Sequence, residues 1–130
     1  MRNLTRLAAG AQKASYTLAK AGSARKDDAL AKISELLRAR ADEILAGNEI
    51  DLRNAREKGI APSMIDRLTL TRERIDAIAD GVMQVRSLPD PVGEVVRMWE
   101  RPNGLKIGQK RVPLGVIGII YEARPNVTVD

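Results

Sequence analysis

The feature that most constrains the fold of this chain is a short apolar run near its carboxyl-terminal end, Leu114 to Tyr121. The run is rich in β-branched residues, follows Pro113 and leads into a polar segment, Glu122 to Asn126. Such a run is typical of a strand buried on both faces, as in parallel sheets covered by helices. Because ligands of these sheets bind beyond the carboxyl ends of the strands, the polar segment is the candidate site.

The predicted strand has no partner elsewhere in the sequence. A parallel strand reaches its neighbour through a crossover of about a dozen residues or more, whereas ten residues follow Ile120. We therefore expect the chain to be the front part of a longer protein.

Composition removes several kinds of chemistry. The 130 residues include no cysteine and no histidine, so the chain offers no disulfide, no thiolate or imidazole metal ligand and no cysteine nucleophile. We predict no metal site. The length favours one domain, and aromatic residues make up only 2%, so its core must be aliphatic.

The net charge of +5 is unevenly placed. Residues 1–26 hold six of the 22 basic side chains and none of the 17 acidic ones. Two interpretations are open: a solvated helix face, or a non-catalytic helical module that binds nucleic acid or a membrane surface through residues 1–26. The longest apolar stretch is too short and too glycine-rich for a membrane span.

Apolar residues recur at three- and four-residue spacing up to about residue 88, which predicts five helices. Asn3, Ser23 and Thr71 are the expected amino-terminal caps of the first, second and fifth. Gly47 and Asn48 are expected to end the second helix. The predicted bounds are about 4–21, 24–46, 49–58 and 62–68, with a fifth helix from 72.

The pattern changes at Leu88, where two prolines within three residues end the helices. Val95 to Arg101 and Leu105 to Val112 are the predicted strands of a hairpin. Arg101 to Gly104 has the composition of a tight turn. Two strands alone are marginal in water, so the hairpin requires a further sheet or subunit.

Two side chains of the polar segment have chemistry that suits an anion. The Asn126 amide carries two donors for an anion or a developing oxyanion, and Arg124 can meet a carboxylate or phosphate with two parallel hydrogen bonds. The simpler interpretation is that Asn126 caps a helix and Arg124 pairs with Glu122. Spacing alone favours the simpler one.

The sequence resembles the γ-glutamyl phosphate reductase family, also called glutamate-5-semialdehyde dehydrogenase, within the aldehyde dehydrogenase superfamily. The blocks most specific within the superfamily are RVPLGVIG and YEARPNVTVD. The segment QKASYTLAKAGSARKDDALAKISELL is similar to the opening helices of the family. The segment GNEIDLRNAREKGIAPSMIDRLTLTRERIDAIADGVMQV is similar to its next helices, and LPDPVGEVV to its linker. The resemblance covers nearly the whole chain and marks it as the amino-terminal part of such an enzyme.

The resemblance implies an α/β fold: a helical part, a β-hairpin and the first strand of an incomplete Rossmann-like cofactor domain. Residues 1–88 would be helical and 89–112 a linker and hairpin. Residues 113–130 would supply the strand and the cofactor and oxyanion loop. The hairpin, 94–112, would be an oligomerisation arm joining copies of the chain.

The implied activity is the NADPH-dependent reduction of L-glutamyl 5-phosphate to L-glutamate 5-semialdehyde, with release of phosphate, in cytoplasmic proline biosynthesis. Asn126 would form the oxyanion hole, and Arg124 would contact the substrate. Glutamate 5-kinase is a further expected partner, and neither nucleic acid nor membrane is expected. The family's nucleophilic cysteine is absent, so we expect the chain alone to be inactive. The NADP(H) site would be lined, largely through backbone, by Ile120, Tyr121, Glu122 and Ala123.

Overall fold

The computed structural model describes residues 4–130 and contains five helices, one two-stranded antiparallel sheet and a final 3-10 turn within that range. The elements form two compact units, one made of the residues up to 23 with 89–118, the other of 24–88 with 119–130. The helices are α1 (Leu4–Leu18), α2 (Ser23–Ala39), α3 (Ala41–Glu57), α4 (Pro62–Leu68) and α5 (Arg72–Arg86). The strands are β1 (Val95–Glu100) and β2 (Lys106–Lys110).

Two of the predicted helices are confirmed almost to the residue. Helix α4 begins at Pro62, whose fixed φ and missing N–H suit a first helical position. Helix α5 begins after Thr71, whose hydroxyl accepts a 3.2 Å hydrogen bond from the backbone N–H of Arg74. Side-chain capping of this kind satisfies one of the free donors at a helix start.

The predicted end of the second helix is wrong. The helix is interrupted at Arg40, between α2 and α3. Gly47 and Asn48 lie inside the 17-residue α3. Asn48 is tolerated there because its amide is used by distant backbone groups, the Leu68 carbonyl at 2.9 Å and the Leu70 N–H at 2.8 Å. It therefore does not compete with the hydrogen bonds of its own helix.

Of the other two expected caps, Ser23 lies within its helix rather than before it. Ser23 is the first residue of α2, and its hydroxyl donates to the Asp90 carboxylate at 2.9 Å. The predicted cap Asn3 lies outside the described residues. Helix α1 ends at Leu18, three residues before its predicted end, and none of its residues is buried.

The core of the second unit lies between α3 and α5. Ser34 of α2 joins it through a buried hydroxyl that donates to the Ala79 carbonyl at 3.0 Å and accepts from Arg38 at 2.7 Å. These bonds satisfy the hydroxyl, so its burial carries no desolvation penalty of an unpaired group. The buried apolar residues are Ala41, Leu52, Ala55, Ile75, Ala79 and Val82.

The predicted hairpin is confirmed. Strands β1 and β2 pair with Trp99 opposite Ile107. The Gly104 N–H donates to the Arg101 carbonyl at 2.8 Å, which closes the turn. Gly104 has φ +80°, a conformation that a residue without a Cβ adopts without strain.

The predicted buried strand from Leu114 to Ile120 is wrong as a description of this structure. Residues 111–120 form no strand, and Leu114 and Ile120 are 90% and 104% exposed. An extended segment becomes a strand only when a neighbour satisfies its backbone groups. No strand lies beside this segment within residues 4–130.

Candidate functional site

The polar segment after the apolar run folds into a short turn of helix. Pro125–Thr128 forms a 3-10 helix with the proline in its first turn, and the Val127 N–H donates to the Arg124 carbonyl at 3.1 Å. The Tyr121 hydroxyl lies 2.5 Å from Oγ1 of Thr128, which ties the end of the apolar run to this helix. The predicted helix start after Pro125 is thus present as a single turn.

Ala123, just before this turn, has an uncommon backbone conformation. Its φ is +49°, in the left-handed region that a residue with a Cβ adopts at a cost of about 1–2 kcal/mol. Strained conformations of this kind concentrate at binding and catalytic sites. The chain bends at Ala123, between the apolar run and the segment that carries Arg124 and Asn126.

The Asn126 side chain does not cap the helix. Its Nδ2 donates to Oδ2 of Asp130 at 3.0 Å, and its backbone carbonyl accepts from the N–H groups of Val129 and Asp130 at 2.9 and 3.1 Å. A carboxamide has two N–H donors, so one remains for a ligand. Within residues 4–130, Arg124 forms no ion pair with Glu122, so the simpler interpretation fails for both side chains.

Arg124 and Asn126 line a cavity of about 760 Å³ in the second unit. Its lining comes from the 3-10 helix and the residues beside it, from α4 and α5, and from Leu30 of α2. Ile78, Val82 and Val85 give the α5 side of the cavity an apolar surface. The charged and amide residues of the lining are Asp66, Arg67, Arg74, Arg124, Asn126 and Asp130.

The three arginines of the lining differ in what they already bind. Arg74 donates to the carbonyls of Asp66 and Thr69, both at 2.6 Å, and to the Asp66 carboxylate at 3.2 Å. Within residues 4–130, neither Arg67 nor Arg124 has an acceptor for its guanidinium. Arg74 is therefore a structural clamp, whereas the other two are available to an anion.

Helix α3 holds the α4–α5 connection from behind. Asn48, 6% exposed, joins the Leu68 carbonyl to the Leu70 N–H through its amide. Leu70 and Thr69 belong to the cavity lining. Sequence reasoning missed Asn48 and Arg67 because both are far along the chain from Asn126. For Asn48, the one available signal was an asparagine inside a pattern that is otherwise helical.

The four residues predicted to line a cofactor site precede the 3-10 helix. Ile120 is fully exposed, Tyr121 is 47% exposed and bound to Thr128, and Ala123 forms the bend. Within the described part of the chain, no backbone hydrogen bond is made by the N–H groups of residues 112–123. These backbone groups are thus available to a ligand or a neighbouring strand.

Residues 4–130 contain neither a candidate membrane-spanning helix nor a candidate metal site. No helix in that range is both long and apolar enough to cross a bilayer. No group of three or more acidic side chains there is arranged to hold a metal ion.

Comparison with known proteins gives the chain a family. No protein-family model matches it. The γ-glutamyl phosphate reductase of Clostridium beijerinckii is 59% identical over 121 residues, and that of Thermodesulfovibrio yellowstonii is 51% identical over 120, each match covering 92% of this chain and 29% of the relative. The crystal structure of γ-glutamyl phosphate reductase from Thermotoga maritima superposes with a TM-score of 0.92 at 47% identity, over 97% of this chain and 30% of that one.

By sequence and by fold, the chain therefore corresponds to a part of the proteins of one reductase family. That family is γ-glutamyl phosphate reductase, and the resemblance found in the sequence is confirmed. The chain spans about 29% of the length of the curated relatives it matches. Its helices and antiparallel hairpin correspond to a part of the solved reductase structure.

Proposed function

We propose that this chain supplies the oxyanion amide and one edge of the cofactor site of a reductase that converts L-glutamyl 5-phosphate to L-glutamate 5-semialdehyde, in cytoplasmic proline biosynthesis. The observation that carries the proposal is the cavity in which Asn126 and Arg124 meet, in a chain 59% identical to a named γ-glutamyl phosphate reductase. The relatives favour this function over the alternative of a helical module that binds nucleic acid or membrane through residues 1–26.

The overall reaction consumes the acyl phosphate, a hydride and a proton, and it yields the aldehyde and inorganic phosphate. Negative charge develops on the carbonyl oxygen when a nucleophile adds to the carbonyl carbon. An amide N–H fixed beside that oxygen stabilises the transition state more than the ground state. Asn126 has one N–H on Asp130 and a second one for this purpose. Arg124, two residues earlier and without an acceptor, is suited to the phosphate leaving group.

The residues predicted for NADP(H) fit a role through their backbone. When bound, NADPH supplies the hydride. Residues 120–123 have N–H groups not used within the described chain, and the bend at Ala123 directs the chain away from them toward Asn126. In the proposed complete enzyme, residues 113–120 form the first strand of a Rossmann-like sheet, whose neighbours cover the apolar side chains of Leu114 and Ile120.

The hairpin is proposed as an oligomerisation arm that packs on a second copy of the chain. Val95, Met98 and Leu105 of the hairpin are 52%, 64% and 57% exposed, so these apolar side chains are open to packing on a second copy. Sedimentation velocity on Met98→Glu tests the proposal, with Glu100→Gln, a change on the same strand, as the control. A larger assembly in the wild type that persists in Met98→Glu would contradict it. Glutamate 5-kinase is proposed as a further partner.

The proposal depends on a cysteine that this chain lacks, and its first test is the intact mass of the protein in its native source. A mass well above the 14.2 kDa of the chain is expected. We expect the 130-residue chain alone to show no turnover in the reverse direction, with semialdehyde, phosphate and NADP+. Cysteine-independent turnover by the chain would contradict this.

In the longer protein, Asn126→Ala should lower kcat by about 10²–10³-fold, as is typical for loss of one oxyanion donor, and change the KM for NADPH much less. Asn54→Ala, an exposed asparagine of α3, is the matched control and should leave both unchanged. Equal kcat values for Asn126→Ala and the control would remove Asn126 from the proposed site.

A further inference from the structure

Besides Arg124, the cavity lined by Asn126 has a second cation in its lining, Arg67. Arg67 lies in the last turn of α4, and within residues 4–130 its guanidinium binds no carboxylate or carbonyl. We propose that Arg67 is the residue that binds the α-carboxylate of the amino-acid substrate. This inference rests on the proposed function, because it takes the reacting end of the substrate to lie at Asn126.

The position of Arg67 is fixed by hydrogen bonds on both sides of it. The preceding carbonyl, that of Asp66, accepts from Arg74 at 2.6 Å. The following carbonyl, that of Leu68, accepts from the buried amide of Asn48 at 2.9 Å. Two side chains from different helices therefore hold the backbone around Arg67. These bonds fix the backbone point from which the exposed Arg67 side chain extends.

The alternative cation, Arg74, is already committed. Its Nη1 donates to two carbonyls and its Nη2 to the Asp66 carboxylate. Binding a substrate carboxylate would require Arg74 to give up these bonds, and the α4–α5 connection would lose its clamp. The same ion pair occupies the Asp66 carboxylate, which would otherwise compete for Arg67.

The chemistry of the cavity matches the two ends of an acyl-phosphorylated amino acid. Arg124 and Asn126 are two residues apart in the chain, so the acyl phosphate and its carbonyl belong beside them. Arg67 comes from α4, a different element of the lining, and is left for the anionic group at the other end of the substrate. The apolar surface of Ile78, Val82 and Val85 suits the methylene groups between the two ends.

A carboxylate is the anion that best suits Arg67 in this arrangement. A guanidinium binds a carboxylate through two parallel hydrogen bonds, which fixes orientation as well as charge. The α-carboxylate is what distinguishes an acyl-phosphorylated amino acid from an analogue that lacks it. A cation with no partner within residues 4–130 can make that distinction, because a substrate without the carboxylate forms no bond to it.

The test is a titration of the isotope-labelled 130-residue chain followed by NMR. L-Glutamate is the probe that carries the α-carboxylate, and 4-aminobutyrate is the probe that lacks it. L-Glutamate should shift the Arg67 Nε–H and the Ile78 methyl resonances in a saturable way. Arg67→Gln should raise the Kd for L-glutamate about tenfold or more, the usual effect of losing a charge-assisted pair. It should leave the Kd for 4-aminobutyrate unchanged.

Two further variants keep the result interpretable. Arg53→Gln removes an exposed arginine of α3 that does not line the cavity, and its Kd for L-glutamate should equal that of the wild type. Arg67→Lys keeps the charge but loses the two-pronged geometry, so its Kd should lie between those of the wild type and Arg67→Gln. An unchanged spectrum away from the cavity shows that each variant folds.

The outcomes separate this inference from the proposed function. If L-glutamate shifts the Asn126 resonances equally in the wild type and in Arg67→Gln, the inference is wrong and the proposed function stands. If L-glutamate shifts neither Arg67 nor Asn126, the inference is wrong, while the proposed function is decided separately by the kcat of Asn126→Ala. If 4-aminobutyrate loses affinity in Arg67→Gln as much as L-glutamate does, Arg67 does not read the α-carboxylate, and the inference is again overturned.

Discussion

Nδ2 of Asn126 donates a 3.0 Å hydrogen bond to Oδ2 of Asp130, one turn further along the chain. The bond fixes the direction of the carboxamide and leaves its second N–H unbound. A side chain that stabilises an oxyanion must be oriented before the charge develops, because reorientation during the reaction would cost part of the benefit. Under the proposed function, Asp130 is therefore a positioning residue for Asn126.

The first prediction concerns this bond. Asp130→Ala should shift the side-chain NH₂ resonances of Asn126 while lowering the free energy of unfolding by less than about 1 kcal/mol, since the hydrogen bond is exposed to solvent and surface changes have small effects. NMR and urea denaturation measure the two quantities. Asp28→Ala, which removes an exposed carboxylate of α2, should leave the Asn126 resonances in place. A loss of stability well beyond that of the control would mean that the bond is structural.

Much of the fold was predictable because its signals are local. The start of α4 at Pro62 and the cap of α5 at Thr71 depend on residues within one turn. The hairpin turn depends on the sequence from Arg101 to Gly104. Each of these signals acts through backbone geometry that a single residue imposes, so no knowledge of tertiary contacts is needed.

The errors arose where distant contacts decide. Gly47 and Asn48 resemble a helix end, yet the amide of Asn48 is satisfied by residues 68 and 70, and the helix continues through it. The apolar run from Leu114 was predicted as a buried strand from its composition. Burial and strand pairing depend on neighbouring elements. Within residues 4–130 the run is exposed and pairs with no strand.

The candidate site was predicted in part. Arg124 and Asn126 were identified from their chemistry and from the end of the apolar run, and they line one cavity. Arg67 was not identified because nothing in its local sequence differs from any exposed helical arginine. It stands out only once Arg74 is seen to bind two carbonyls and a carboxylate, whereas within residues 4–130 Arg67 binds none.

The second prediction is that Asn48→Ala destabilises the chain by about 2–4 kcal/mol. The change leaves a backbone carbonyl and a backbone N–H of the α4–α5 connection without partners, at a cost of about 1–3 kcal/mol for each buried group. The midpoint of urea denaturation reports the loss. Asn54→Ala, on an exposed face of the same helix, should change stability by less than about 0.5 kcal/mol. Equal effects of the two variants would contradict the role given to Asn48.

The third prediction concerns the bend at Ala123. Ala123→Gly should keep or raise stability by up to about 1 kcal/mol, because glycine adopts φ +49° without the Cβ clash but loses more backbone entropy on folding. Ala123→Val should lower stability, since a β-branched residue tolerates positive φ poorly. Urea denaturation of the pair decides the matter. A glycine variant less stable than the valine variant would mean that this backbone conformation is not adopted in solution.

The fourth prediction follows from the surface pair at the start of α3. Arg40 donates to both carboxylate oxygens of Glu43, at 2.8 and 2.6 Å, and this hydrogen bonding, together with the positive charge, holds the pKa of Glu43 below its ordinary value. In the acid range the unfolded chain therefore binds more protons at this residue than the folded chain does. The contribution of Glu43 to stability is fully present above the ordinary glutamate pKa of about 4.3. It is lost as the pH falls through the lowered pKa that Glu43 has in the folded chain.

The melting temperatures of wild type and Glu43→Gln should consequently differ at neutral pH and converge as the solution is acidified. The wild type should have the higher Tm at neutral pH and the steeper decline below it. Raising the salt concentration should shrink the neutral-pH difference, since exposed pairs are screened. Glu57→Gln, which removes an exposed carboxylate near the other end of α3, controls for the loss of one negative charge. Parallel curves for wild type and Glu43→Gln throughout the acid range would show that the Arg40 pair does not act on stability through this carboxylate.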